Sequence, residues 1–421
     1  MSMRASVAAA AALGACLCFL STAAFAQVDL LSPDTVSGQA DLRLAASDGE
    51  KSWVQGGFGA TRYGGADDGW VGHATLASAD LFWKPAIGDL SGYFDGVWQP
   101  DQRRQLDLQE GFALYKPLPR PDGWRWQARA GLMYPNISME NDGPGWTPTR
   151  TITPSAINSW VGEEVKVRAV EGQLAKRWDE QEVSAALAVF SHDDTAGTML
   201  AWRGWSLSDV RSTAFGSLPI PQVPQAHKAF SAQDPYSVSL DEIDGRPGFY
   251  GRLEWRAPEG VTANVFYYDN AGDRTSLKDG QWTWDTWFWN AGLRYAPDAD
   301  TELLAQAMTG RTVTGFYTSR GWRVDANFDA VYLLADRKVG RDLFTGRLDW
   351  FDVRDNSFQT LDDNNERGWA LTADWRHTLT DHLAVLLEAL QVQSDRPARA
   401  YVGDDAYQAQ TTVQAALKMS F

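Results

Sequence analysis

Runs of about ten residues in which apolar and polar side chains alternate recur from Gln39 to the C-terminus, each bounded by Pro, Gly, Asp or Asn. Successive side chains of an extended strand point to opposite sides, so each run sorts its residues onto two faces. In Leu343 to Phe351, Phe344, Gly346, Leu348 and Trp350 share one face, and Thr345, Arg347 and Asp349 share the other. Trp369, Leu371, Ala373 and Trp375 oppose Thr372, Asp374 and Arg376 in the same way, as Trp287, Trp289, Ala291, Leu293 and Tyr295 oppose Asn290 and Arg294. The last run sets Tyr407, Ala409, Thr411, Val413, Ala415, Leu417, Met419 and Phe421 against Gln408, Gln410, Thr412, Gln414, Ala416, Lys418 and Ser420. One face suits an apolar medium and the other suits water.

The pattern predicts strands near 39–46, 52–62, 74–83, 91–98, 105–115, 124–133, 164–176, 182–191, 248–256, 261–269, 286–295, 301–310, 324–335, 342–352, 367–376, 383–393 and 407–421. Connectors alternate in length. Lys84 to Leu90, Lys116 to Gly123, Arg177 to Gln181, Ala257 to Gly260, Ala296 to Asp300, Arg337 to Arg341 and His377 to Asp381 are short. Tyr134 to Gly162, His192 to Pro247, Asn270 to Asp285, Arg311 to Arg323, Arg354 to Glu366 and Ser394 to Ala406 are long. A lipid interior offers backbone groups no partners, so strands that cross it must close on themselves. The expected fold is all-β: a transmembrane antiparallel β-barrel with short periplasmic turns and long extracellular loops.

Seventeen candidate strands is an odd count, and bacterial single-chain barrels have even ones. Sixteen strands follow if Gln39 to Ala46 lies inside the barrel or its mouth; eighteen follow if Val28 to Val36 adds one. Sixteen is preferred.

The N-terminus carries the matching address. Arg4, the apolar stretch Val7 to Leu20 and the small-x-small site Ala24-Phe25-Ala26 mark residues 1–26 as a secretory signal peptide, which leaves 27–421 as one barrel domain. Both cysteines, Cys16 and Cys18, belong to that leader, so no disulfide is expected in the barrel. Runs such as Val183 to Phe190 are far shorter than the ~20 residues of a membrane helix. The formal net charge of −16 opposes nucleic-acid binding, which depends on neutralising phosphates. Twenty Trp in 421 residues fit two interfacial girdles.

The terminal strand closing on Phe421 resembles the last strand of Gram-negative outer-membrane β-barrels, which implies reading by the barrel assembly machinery. The stretch from Gly131-Leu132-Met133-Tyr134-Pro135 through Ser138-Met139-Glu140-Asn141 to Glu163-Glu164 resembles the third long loop of phosphate-selective and related porins. There such a loop folds into the barrel and narrows it. The resemblance implies a pore constriction in which Glu140, Asp142, Glu163 and Glu164 face Arg125, Arg129, Lys166 and Arg168. It also implies a homotrimer. Arg252, Arg256, Arg294, Arg347 and Arg376 would line the pore on later strands, interspersed with Glu254, Asp349 and Asp374, too mixed a lining for phosphate specificity. The same constriction charges could instead pair and hold loop to wall. Tyr250, Phe266, Tyr268 and Phe288 would face inward, as a stacking track for sugars or as wall packing.

No catalytic relay is legible. Ser191, His192 and Asp193 are adjacent along one strand and therefore alternate faces; His377 and His382 have no zinc spacing. Asp362 to Glu366 and Asp404-Asp405 lack the spacing of an EF-hand. The expectation is a non-enzymatic, cofactor-free outer-membrane channel of a Gram-negative bacterium, admitting small hydrophilic solutes passively or with weak selectivity. The alternatives are a structural or adhesive barrel with a loop-filled mouth and a polysaccharide-export barrel.

Overall fold

The computed structural model describes residues 28–66, 69–359 and 361–421. The expected leader, residues 1–26, lies outside them. Sixteen antiparallel strands form the wall: β1 (Val36–Ser47), β2 (Val71–Trp83), β3 (Leu90–Trp98), β4 (Leu106–Tyr115), β5 (Trp124–Met133), β6 (Val167–Trp178), β7 (Gln181–Ser191) and β8 (Gly248–Arg256). They continue as β9 (Val261–Asp269), β10 (Asp285–Asp298), β11 (Thr301–Thr318), β12 (Gly321–Val339), β13 (Asp342–Asp355), β14 (Glu366–Thr380), β15 (Leu383–Asp395) and β16 (Tyr407–Ser420). Each pairs with its sequence neighbours. β1 then pairs with β16, with Gln39 opposite Ser420 and Ser47 opposite Thr412, and the sheet is closed.

The preference for sixteen holds, but for a different reason. Gln39 to Ala46 is the first stave of the wall, and the misread segment is 52–62, which forms a 3-10 turn at Trp53–Gln55 and irregular chain. Its apolar residues Trp53, Phe58 and Ala60 alternate poorly and are buried in the packed interior, and the segment makes only isolated bridges among the described residues. Among the described residues Val28–Asp29 pairs only with Ala86–Ile87. The Arg311 to Arg323 loop is also corrected: β11 and β12 stay paired out to Thr318 and Gly321, so this connector is a hairpin tip.

Connectors at the end where β1 begins and β16 finishes are short: 84–89, 116–123, 179–180, 257–260, 299–300, 340–341 and 381–382. The opposite end carries 134–166 and 192–247. The last rung of closure joins Phe421 to Gly38 by reciprocal backbone bonds of 3.1 and 3.2 Å. A Cβ on Gly38 would lie 2.5 Å from the Phe421 ring, so only glycine lets that ring lie over the seam.

Outward faces carry the apolar alternation. Leu44, Leu187, Leu253, Leu333, Leu348 and Leu371 form an exposed mid-wall belt. Aromatics gather at its two edges: Trp83, Tyr115, Trp124, Trp178, Trp255 and Tyr295 near the short turns, and Phe249, Trp289, Trp350, Trp369 and Tyr407 near the long loops. Amphipathic rings favour such boundaries, where one side is apolar and the other wet. The belt sets a register test. Leu348→Arg places a charge in lipid at about 2–4 kcal/mol, whereas Thr345→Arg points inward from the same strand toward Asp374, its register partner on β14. Heat-modifiability of the refolded barrel should fall for the first and not the second; equal behaviour would overturn the register.

Candidate pore and its constriction

Inward faces divide the lumen into two flanks. Tyr250, Phe266, Tyr268, Phe288, Phe328, Tyr332 and Phe351, on β8–β10, β12 and β13, are at most 1% exposed and form an apolar flank. Tyr250, Phe266, Phe288 and Tyr268 stack in sequence with ring centroids 4.8–6.0 Å apart. They are wall packing, closed over by protein, and offer no sugar track.

The segment 134–166 turns inward onto this flank. Ile137, Met139, Ile157, Trp160, Val161 and Val165 make it too apolar for a solvated loop, and all are buried. It contains helix α1 (Ala156–Glu164), every residue of which is buried. Ser155 caps α1 through the Asn158 N–H at 3.3 Å, and the wall carboxylate of Asp349 accepts from the Ala156 N–H at 3.1 Å, favourable placements at a helix N-terminus. Trp160 is fully buried, its ring 5.4 Å from Phe288, 5.2 Å from Phe328 and 6.0 Å from Trp205. Gly292 lets Met139 approach the wall, since a Cβ there would lie 2.6 Å from the Met139 Cγ.

Two further segments complete the filling. Residues 192–247 enter the lumen with helix α2 (Thr198–Arg203) and join the first loop through the Ser208 N–H to Ser159 Oγ at 3.0 Å and the Ser212 N–H to the Gly162 carbonyl at 2.8 Å. The 48–66 segment is tied in where the Leu207 N–H donates to the Ala60 carbonyl at 2.9 Å.

The expected constriction residues are therefore packed groups, each with its own partner. Glu140, 1% exposed, accepts from the Ser155 N–H and lies 3.7 Å from Arg347. Asp142 pairs with Arg150 at 2.8 Å, and Arg150 in turn reaches Glu302 and Asp336 on the wall. Glu163 pairs with Arg203 at 2.5 Å, both fully buried. Glu164 forms no ion pair among the described residues: it accepts from the Trp160 indole at 2.8 Å and from the N–H groups of Gly197 and Met199 at 3.2 and 2.7 Å, at the start of α2. Arg125 pairs with Glu182, and Arg129 with Glu171 at 2.7 Å. Lys166 is buried, donates to the Ser212 carbonyl and stands 4.5 Å from the Tyr134 ring centroid. Arg168 departs from its expected place. Val167, Ala169 and Glu171 are the inward residues of β6, so Arg168 lies on the exposed outer face beside His192 at 3.0 Å.

The expected lining residues do face inward. Arg252 and Arg256 pair with Glu254, and Arg294 with Glu302. Arg347 is fully buried, bonded to Asp349 at 2.8 Å and to the Thr153 and Pro154 carbonyls at 2.7 and 2.9 Å, so it straps the loop to the wall. Arg376 reaches the Thr149 carbonyl at 2.7 Å.

The other flank, β1–β5 with β14–β16, is polar. Arg43 bonds Asp41 at 2.7 Å and Asp209 at 2.9 Å; Arg62 reaches the same Asp209 at 3.0 Å; Arg211 meets Asp80 at 3.0 Å. Sequence reading missed Arg203, Asp209 and Arg211 because they sit in a loop without periodicity, and Arg62 because it ends the segment 52–62 that was expected as a strand. The contrast of Trp202 and Trp205 with Arg203, Asp209 and Arg211 in a nominally external loop was the available signal. Along this flank a cavity of about 300 Å³ enters from the short-turn end, between β1, β14–β16 and the loop at 143–149.

Burial pushes the Glu164 carboxyl up to about 7 and that of Asp194 to about 6, while it pulls the Lys166 ammonium down to about 7. The docked loops then hold more protons on these carboxyls than released loops would. Docking is strongest in acid and weakens as pH rises from about 4.5 to 7. Lys166 acts in the opposite sense: its docked ammonium loses its proton near 7 while a released one would keep it, so from about pH 6 upward it offsets the loss from the carboxyls. Protection of the 156–164 amides, corrected for the intrinsic pH dependence of exchange, should accordingly fall between about pH 4.5 and 6, and Glu164→Gln should flatten the fall; an unchanged profile in that variant would remove Glu164 from the cause.

No family model matches the chain, and no curated protein matches it by sequence. In structure it is similar to the outer-membrane channel DcaP of Acinetobacter baumannii, at 12% identity and a TM-score of 0.53 over 94% of this chain and 100% of that one. It is also similar to an anion-selective porin of Comamonas acidovorans, at 11% and 0.52 over 94% and 100%. A third is OprB of Pseudomonas putida, at 11% and 0.50 over 92% and 94%. At these identities the likeness is one of fold: the chain has the closed antiparallel barrel that these outer-membrane proteins share.

Proposed function

We propose that the chain is an outer-membrane channel of porin type, through which small hydrophilic solutes diffuse with weak selectivity under the control of its inserted loops. The observation that carries this reading is the polar flank. The loop body seals against β8–β13 through packed rings, but against β1, β2 and β14–β16 it meets the wall through ion pairs, one small apolar cluster around Ile152, and a cavity lined by charged groups. Water and ions follow polar seams of this kind, and charged linings bias which ions pass. In this reading the short turns are periplasmic, the long loops are extracellular, Phe421 addresses the assembly machinery, and the barrel works as a homotrimer. The packed lumen favours a second reading, a surface barrel with a filled mouth.

Planar-bilayer recording of the purified barrel separates the two. The channel reading expects discrete conductance steps that grow when residues 141–153 are deleted, because that deletion removes Arg150 and its ties to Glu302 and Asp336. An assembled barrel that is silent with and without the loop would establish the filled-mouth reading.

A further inference from the structure

The cavity at the short-turn end holds two cations that the rest of the lumen leaves unpaired. Most charged groups on its lining are already engaged: Asp41 and Asp209 by Arg43, Asp209 also by Arg62, and Arg211 by Asp80. Asp381 and His382 sit on the exposed turn at its mouth. Arg376 and Lys418 are different. Among the described residues neither has a carboxylate within ion-pairing distance, and the one hydrogen bond of Arg376 goes to the Thr149 carbonyl at 2.7 Å. Their nearest acids stop short of pairing: Asp41 stands opposite Lys418 in register but is bonded to Arg43, and Asp374, the next inward residue of β14, acts on both cations through space while standing opposite Glu388 and outside the cavity lining.

The register places these cations on either side of an apolar strip. Thr378, Ala384 and Lys418 form one inward row across β14, β15 and β16, and Arg376, Leu386 and Ala416 form the next. Ala384, Leu386, Ala416 and the loop residue Ile152 pack as one buried cluster, and Ile152 and Ala384 reach the cavity lining. Trp146 lines the same cavity. Its backbone is left-handed, with φ of 57°, directly after Gly145 at 64°. A bulky residue takes that conformation only where the surroundings impose it, and such strain collects at ligand sites. Here it sets the Trp146 ring against Tyr134 at 4.6 Å, with the indole N–H on the Asn158 carbonyl at 3.1 Å.

We propose that this cavity is a binding site for small organic carboxylates with an apolar body, the carboxylate held by Arg376 and Lys418 and the body by Ile152, Ala384 and Trp146. Two unpaired donors beside an apolar surface match that chemistry, and about 300 Å³ is at the small end of ligand pockets. The proposal rests on the channel reading only in taking the ligand to be a permeating solute.

Calorimetric titration of the purified barrel with benzoate, benzamide and acetate tests it. Benzoate should bind at one site, and benzamide and acetate about tenfold or more weaker, a difference of about 1.4 kcal/mol. Arg376→Gln with Lys418→Gln should abolish the preference for benzoate over benzamide, and Trp146→Leu should reduce the preference over acetate. If the double variant does not assemble, Thr378→Glu, which adds a carboxylate to the Lys418 row, should remove benzoate binding instead. Equal binding of benzoate and benzamide, or full affinity in the charge variants, would overturn the proposal. Conductance of the same preparations keeps the two readings apart: binding without conduction refutes the channel and leaves the site, while conduction without binding does the reverse.

Discussion

Trp160→Ala should give a barrel that assembles normally and conducts several times more current than the native protein. Trp160 is the centre of the inserted body, fully buried between Phe288, Phe328 and Trp205, and its indole N–H serves the Glu164 carboxylate. Removing a buried Trp costs about 3–5 kcal/mol in lost burial and cavity. It also strips a partner from a buried acid, which adds to the loss. The wall does not share this cost, because its sixteen ladders are backbone bonds that do not depend on the loops. The loss falls on docking of 134–166, so the loop should sample undocked states and open the lumen. Trp289→Ala, on the outer face where the ring is 49% exposed, is the control and should leave conductance unchanged. A Trp160→Ala barrel with native conductance and native loop protection would show that α1 does not limit the pore.

The wall was legible in the sequence because a strand's two faces must meet two different media. That constraint marks every second residue, and the outward placement of Leu348, Trp350 and Leu371 against inward Arg347, Asp349 and Asp374 follows from it. The same period puts Asp41 with Arg43, Arg252 with Glu254 and Arg347 with Asp349 on shared faces, and each is an ion pair in the structure. Parity fails where its phase is set from a loop: counting inward from Lys166 assigned Arg168 to the lumen, while β6 begins at Val167 with the opposite phase. The lumen filling was half legible. The inward course of 134–163 was legible only through its resemblance to a porin loop, and the partners of Glu163 and Glu164 come from 192–247, whose contacts have no period to read. Segment 52–62 misled for the related reason that burial against other loops also concentrates apolar residues.

Arg347→Met should detach the 150–155 stretch from the wall, and the damage should be reversible by neutralising the acids it leaves behind. Arg347 is fully buried and serves Asp349 at 2.8 Å, Glu140 at 3.7 Å and the carbonyls of Thr153 and Pro154. Glu140 and Asp349 are each 1% exposed, so removing the guanidinium strands two carboxylates away from water. Breaking a buried ion pair from one side costs about 3–5 kcal/mol, whereas replacing the whole group by neutral residues is close to neutral. Arg347→Met combined with Glu140→Gln and Asp349→Asn retains acceptors for the Ser155 and Ala156 N–H groups and removes the stranded charge. Hydrogen exchange followed by mass spectrometry should show peptides covering 150–160 exchanging much faster in Arg347→Met and returning toward native protection in the triple variant, with the wall strands unchanged in both. Native protection in the single variant would mean that ring packing around Trp160 holds the loop without the strap. Failure of the triple variant to recover would mean that the carbonyl bonds of Thr153 and Pro154, and not charge compensation, are what Arg347 contributes.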